Sequence, residues 1–169
     1  MESKITHGDL CSIAAKWLIR HEENIKIPNC PLVLKEVDCT SGSGEIPDLI
    51  GFGSGKSVLI EVKMSYEDFV ADKLKPFRMN GEEGMGCYRY ILAPTNVIQK
   101  ISNKEGSEFL NCFGWGFLEF DGSKINIKTP SSDLTSMTDF MAERTLLLSV
   151  LRRNKINGIQ TTGGSNAVK

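Results

Sequence analysis

Three residues have types and spacing that suit metal-assisted hydrolysis of a phosphodiester: Asp48, directly after Pro47; Glu61, after the twelve intervening residues 49–60; and Lys63, two positions further on. Side chains alternate along a strand, so Glu61 and Lys63 share one face and Val62 points to the other. If the segments around Asp48 and Glu61 pair as a hairpin, the two carboxylates converge. Hard divalent cations take carboxylate and carbonyl oxygens, so Asp48, Glu61 and the Val62 carbonyl are candidate ligands for Mg²⁺ or Mn²⁺. Such an ion acidifies water and stabilises the charge that builds during phosphodiester cleavage. Lys63 beside it is placed to position or help deprotonate the attacking water, or to neutralise the phosphate.

The elements that must hold these residues are legible in the surrounding pattern. Ile46–Phe52 and Ser57–Lys63 are short apolar runs joined by Gly53-Ser-Gly-Lys, which predicts a hairpin with a glycine-bearing turn. A first strand is expected over 32–38, and an amphipathic helix over Asp9–Arg20, where Leu10, Ile13, Ala14, Trp17 and Leu18 fall at helical spacing. Ser65-Tyr-Glu-Asp fits a capping box, so a helix should start there and stop before Pro76. Tyr88–Ala93 reads as a strand ending at Pro94, and Thr95–Ile101 as a short helix. Trp115–Phe120 and Lys124–Lys128 flank Asp121-Gly122, a strong hairpin signal. A long last helix is expected over Ser131–Arg153. The mixed order predicts an α/β domain, a mixed sheet flanked by helices, over residues 1–153, with 154–169 as a flexible polar tail.

Ile46-Pro-Asp-Leu-Ile followed by Leu59-Ile-Glu-Val-Lys resembles the motif of the PD-(D/E)xK nuclease superfamily. The run Glu61-Val-Lys-Met-Ser-Tyr-Glu-Asp-Phe-Val-Ala-Asp-Lys is similar to MmcB-type DNA-repair nucleases, as is Tyr88-Arg-Tyr-Ile-Leu-Ala-Pro. The resemblance covers Leu32 to Phe120. It implies a restriction-endonuclease-like fold, a divalent metal and a DNA substrate, in repair or in phage or defence DNA processing. It also implies Glu36, on the first strand, as a further acidic ligand. An arginine pair associated with the MmcB type is replaced here by Glu45-Ile-Pro. That departure, with a net charge of −1, keeps open a catalytically inactive nucleic-acid-binding or protein-interaction module on the same fold.

Other features take plainer readings. Lys73, Lys75, Arg78 and Arg89 are candidates for a phosphate-contacting edge, against the alternative of a solvated face. Gly51-Phe-Gly-Ser-Gly-Lys-Ser is one residue too short for a phosphate-binding loop and runs into a strand rather than a helix. Five scattered cysteines without a C-x-x-C pair, and only two histidines, predict reduced thiols rather than a zinc site. His7 and His21 read as helix-end or surface residues, and Trp115 as a core aromatic. No apolar run approaches the roughly 20 residues that span a bilayer, and the N-terminus lacks a signal-peptide layout. The expectation is therefore a soluble cytoplasmic protein without membrane contact. The apolar stripe of the last helix is expected in the core, with length enough to serve a homodimer face.

Overall fold

The periods of apolar residues set out above become a six-stranded mixed sheet with helices on both faces. The structure is a computed structural model in which residues 5–20, 27–37, 46–53, 55–73 and 84–154 are described. The strands are β1 (Leu32–Lys35), β2 (Leu49–Phe52), β3 (Ser57–Val62), β4 (Tyr88–Pro94), β5 (Gly116–Phe120) and β6 (Ile125–Thr129). Their order in the sheet follows the chain, β1-β2-β3-β4-β5-β6. β1, β2 and β3 pair antiparallel, β3, β4 and β5 pair parallel, and β6 returns antiparallel to β5. Among the described residues the α-helices are α1 (His7–Arg20), α2 (Tyr66–Lys73), α3 (Thr95–Phe113) and α4 (Phe140–Arg153).

Alternation along the strands divides the core into two layers. Leu49, Val58, Ile60, Val62, Tyr90, Leu92 and Leu118 face α1, which lays down Leu10, Cys11, Ala14 and Leu18. Ile50, Leu59, Ile91, Ala93 and Phe117 point the other way, toward Phe69 of α2, Ile98 and Ile101 of α3, and Leu146 of α4. β3 is buried along its whole length because both its faces are covered, so it reads as a continuous apolar run rather than an alternating one. Glu61 is therefore an acid inside a covered strand.

Helix limits follow local chemistry. Ser65 Oγ accepts the Asp68 amide at 3.0 Å, so the cap of α2 forms where the sequence predicts it. α3 runs twelve residues past its predicted end at Ile101, and Phe113 packs against the core at its far end. That distant contact favours the helix across Gly106, which local propensity reads as a break. Gly114 then takes φ 68, and a Cβ there would meet Leu134 Cδ2 at 2.9 Å.

The expected single helix over Ser131–Arg153 is two pieces, a 3-10 turn at Thr135–Met137 and α4 from Phe140. The polar residues that look like early helix are spent on other bonds. Ser131 Oγ donates to the Gly114 carbonyl and accepts from the Arg89 amide, Leu134 N donates to the Cys87 carbonyl, and Asp133 engages Lys56. Asp139 is the true N-cap, accepting from Ala142 N at 2.8 Å. The apolar stripe expected in the core is corrected as well: of its residues Leu134 is buried ahead of α4, while Phe140, Met141, Leu148 and Leu151 are exposed, and α4 buries Ala142 and Leu146 instead. Among the described residues, no helix is long and apolar enough to cross a membrane. The predicted tail lies outside them, apart from Asn154.

Candidate active site

The hairpin of β2 and β3 places the three motif residues. Leu49 pairs with Ile60, so Asp48, one step before Leu49, stands level with Glu61, one step after Ile60. β2 ends there, and the Val62 amide would lose its ladder partner. Asp48 Oδ2 takes that bond at 2.8 Å. The Asp48 carboxylate is thereby fixed to the peptide between Glu61 and Lys63. On the other side of the strand end, Lys63 N donates to the Leu92 carbonyl at 2.8 Å, holding the Glu-x-Lys segment against β4.

Glu61 and Lys63 share the face covered by α2, as alternation requires. Lys63 Nζ lies 3.6 Å from Glu61 Oε2 and 3.1 Å from Asp72 Oδ2 of α2. All three residues are at most 5% exposed. An ammonium group out of water needs such carboxylates, since an uncompensated buried charge is strongly unfavourable. Asp72 is a site residue that the sequence reading does not single out. Its signal is positional: Ser65 caps α2, Phe69 faces the core, and Asp72 follows on the same face at i+3.

A second cluster forms at the opposite side of Asp48. Helix α1 starts at His7, whose Nε2 lies 3.4 Å from Asp48 Oδ2 and whose Nδ1 lies 3.7 Å from Glu36 Oε1. Cys11, one helical turn further, puts its Sγ 3.6 Å from His7 Nδ1. Glu36 directly follows β1, holds a left-handed backbone (φ 48), and donates its amide to the Asp48 carbonyl at 2.9 Å. A non-glycine residue in that region is uncommon, and here it turns the Glu36 carboxylate toward α1. Burial first, then the charges of Asp48 and Glu36, push the Cys11 thiol up to about 12. His7 is thus more than the helix-end residue that its sequence position suggests. The available signal was His7-x-x-x-Cys11, a spacing that stacks both side chains on one helix face.

The proposed phosphate-contacting edge is corrected at Arg89. It is 4% exposed, and its guanidinium donates to the carbonyls of Gly86, Gly84 and Met137 at 3.1, 2.8 and 2.9 Å. Those bonds brace the chain before β4 and leave the group inside. Lys73 closes α2, and Lys75 and Arg78 lie outside the described residues. The expected turn between β2 and β3 is closed by Gly53 N, which donates to the Lys56 carbonyl at 2.9 Å. Cys11, Cys30 and Cys87 are buried free thiols, and Cys112 is an exposed one. Trp115 is buried in the core, as expected.

The site belongs to a mixed α/β fold in which a hairpin presents two acids and a lysine. Compared with known proteins, the chain matches no family profile and no curated sequence. Among solved structures it is similar to the SPO1766 protein of unknown function from Silicibacter pomeroyi, at 18% identity and a TM-score of 0.43, over 77% of this chain and 85% of that one.

Proposed function

We propose that this chain is a metal-dependent nuclease of the PD-(D/E)xK type, with a restriction-endonuclease-like fold, that hydrolyses DNA phosphodiester bonds in repair or in phage or defence DNA processing. The observation that carries the reading is the hairpin register: Asp48 stands level with Glu61, bonded to the Val62 amide, with Lys63 3.6 Å from Glu61. The donor set fits Mg²⁺ or Mn²⁺, because the Asp48 and Glu61 carboxylates and the Val62 carbonyl are the hard oxygens such ions take, with Glu36 as an outer donor. When bound, the ion supplies Lewis acidity and a more acidic water. Lys63 contributes positive charge beside Glu61, Asp72 holds its ammonium in place, and Asp48 fixes the strand end. A cytoplasmic setting belongs to the same reading and agrees with the free thiols. So does a homodimer, for which Met141, Leu148 and Leu151 offer an outward apolar face on α4.

One observation favours a second reading, a catalytically inactive module that binds nucleic acid or protein on the same fold. Lys63 is 5% exposed and held by two carboxylates, a geometry that withholds its ammonium from a surface-bound phosphate.

Purified wild type and Glu61→Gln, incubated with single-stranded, double-stranded and branched DNA in Mg²⁺, Mn²⁺ or EDTA, separate the two. The nuclease reading expects cleavage that requires metal and falls at least about 10²-fold in Glu61→Gln and Asp48→Asn. The amide variants keep shape and packing, which matters for a buried Glu61. Intact DNA in every condition, with no Mg²⁺ or Mn²⁺ binding by calorimetry, would leave the binding module.

A further inference from the structure

We infer that His7, Cys11 and Glu36 form a separate site for a borderline-soft divalent transition metal of the Zn²⁺ class, with Asp48 as the carboxylate that orients the histidine. The inference shares Asp48 with the nuclease reading, assigns Glu36 to this ion, and does not depend on DNA cleavage.

The donor types come first. A sulfur, an imidazole nitrogen and a carboxylate oxygen are poorly suited to Mg²⁺ and well suited to zinc-like ions. Geometry comes second. A tetrahedral ion with zinc-like bond lengths of about 2.0–2.3 Å separates its ligand atoms by roughly 3.3–3.6 Å. Around His7 Nδ1 the separations are 3.6 Å to Cys11 Sγ and 3.7 Å to Glu36 Oε1. One donor atom from each of the three residues lies within 4.8 Å of the others. Small rotations of exposed carboxylate and imidazole groups close the remaining difference.

The surroundings agree with the assignment. With Nδ1 on the ion, His7 Nε2 carries the proton and faces Asp48 Oδ2 at 3.4 Å. That is the carboxylate–histidine–metal arrangement that fixes a ligand's tautomer and ring plane. Cys11 is fully buried, whereas the His7 and Glu36 side chains are 37% and 49% exposed, so the site is walled on the sulfur side and open to solvent on the other. The left-handed Glu36 backbone is the local cost of turning that carboxylate inward.

Co²⁺ is the probe, titrated into the full chain in a Cys39→Ser/Cys112→Ser background, in which the thiols left outside the cluster, Cys30 and Cys87, are buried. One Co²⁺ per chain is expected to show a thiolate-to-cobalt charge-transfer band in the near ultraviolet with ligand-field bands in the visible, and an ion on the oxygen donors of Asp48 and Glu61 would add no such charge-transfer band. Cys11→Ser should lose the charge-transfer band and keep weaker binding. His7→Ala, at a half-exposed helix start where folding is undisturbed, should weaken binding more than Asp48→Asn, for which a loss of about 10–100-fold is expected. Glu61→Gln should leave the charge-transfer band unchanged. Absence of Co²⁺ binding, or bands indifferent to both His7→Ala and Cys11→Ser, would overturn the site. Bands as described from a protein that cuts no DNA would uphold it while removing the nuclease reading. Metal- and Glu61-dependent cleavage without these bands would do the reverse.

Discussion

Two charged clusters flank the same strand end, and they differ in what surrounds them. Glu61, Lys63 and Asp72 lie under α2, nearly sealed from water. His7, Glu36 and Asp48 lie at the start of α1, with side chains between 22% and 49% exposed. Coulomb attraction is stronger in the first environment, but so is the penalty of taking charges out of water. In the second, solvent screens every pair, and the groups stay free to exchange one another for an ion. The buried cluster is therefore an arrangement the fold depends on, and the exposed one is an arrangement the fold merely permits.

Asp72→Ala should break the first cluster. It removes the nearer carboxylate from a buried ammonium, and a loss of about 3–5 kcal/mol in urea unfolding is expected. A loss near zero would mean that Lys63 finds water or Glu61 at no cost, and that the two clusters are alike. His7→Ala, measured without metal, should cost less than about 1 kcal/mol, as exposed pairs do. The contrast sharpens with Co²⁺, which should raise the wild-type Tm by more than it raises that of His7→Ala at the same concentration.

Glu143 supplies the smallest effect and a third environment, a buried acid satisfied by neutral donors. Its Oε1 accepts from Ser57 Oγ at 2.6 Å and Gly86 N at 2.9 Å. Burial holds its carboxyl above the ordinary 4.5. The folded chain thus binds that proton more tightly than the unfolded chain. The associated stability is present below pH 4.5 and lost as pH rises through the folded value. Glu143→Gln should match wild type in acid and exceed its Tm at neutral pH, by thermal unfolding across that range.

Much of the frame was legible because its signals are local. Alternation, the Gly53–Lys56 turn, the Ser65 cap and Asp121-Gly122 each act within a few residues, and each forms as the pattern indicates. Contacts distant in sequence were not legible. Nothing near His7 reveals that β1 and β2 will bring Glu36 and Asp48 to it. Arg89 reads as a strand-end cation until Met137, 48 residues later, supplies a carbonyl. Asp139 rather than Ser131 starts the last helix, because Ser131 is already committed to Gly114 and Arg89.

The strand order, which copies the chain order, has a consequence for biosynthesis. A polypeptide emerging from the ribosome N-terminus first can add each strand to an edge that already exists, and never has to wedge one between two that have paired. The hairpin bearing Asp48 and Glu61 is complete before β4 is translated, and α4, which delivers Glu143, arrives last of the described elements. The half of the sheet that carries Asp48 and Glu61 is thus older than the half formed by β4, β5 and β6, and the helix that sets Glu143 against Ser57 of β3 is the youngest described element.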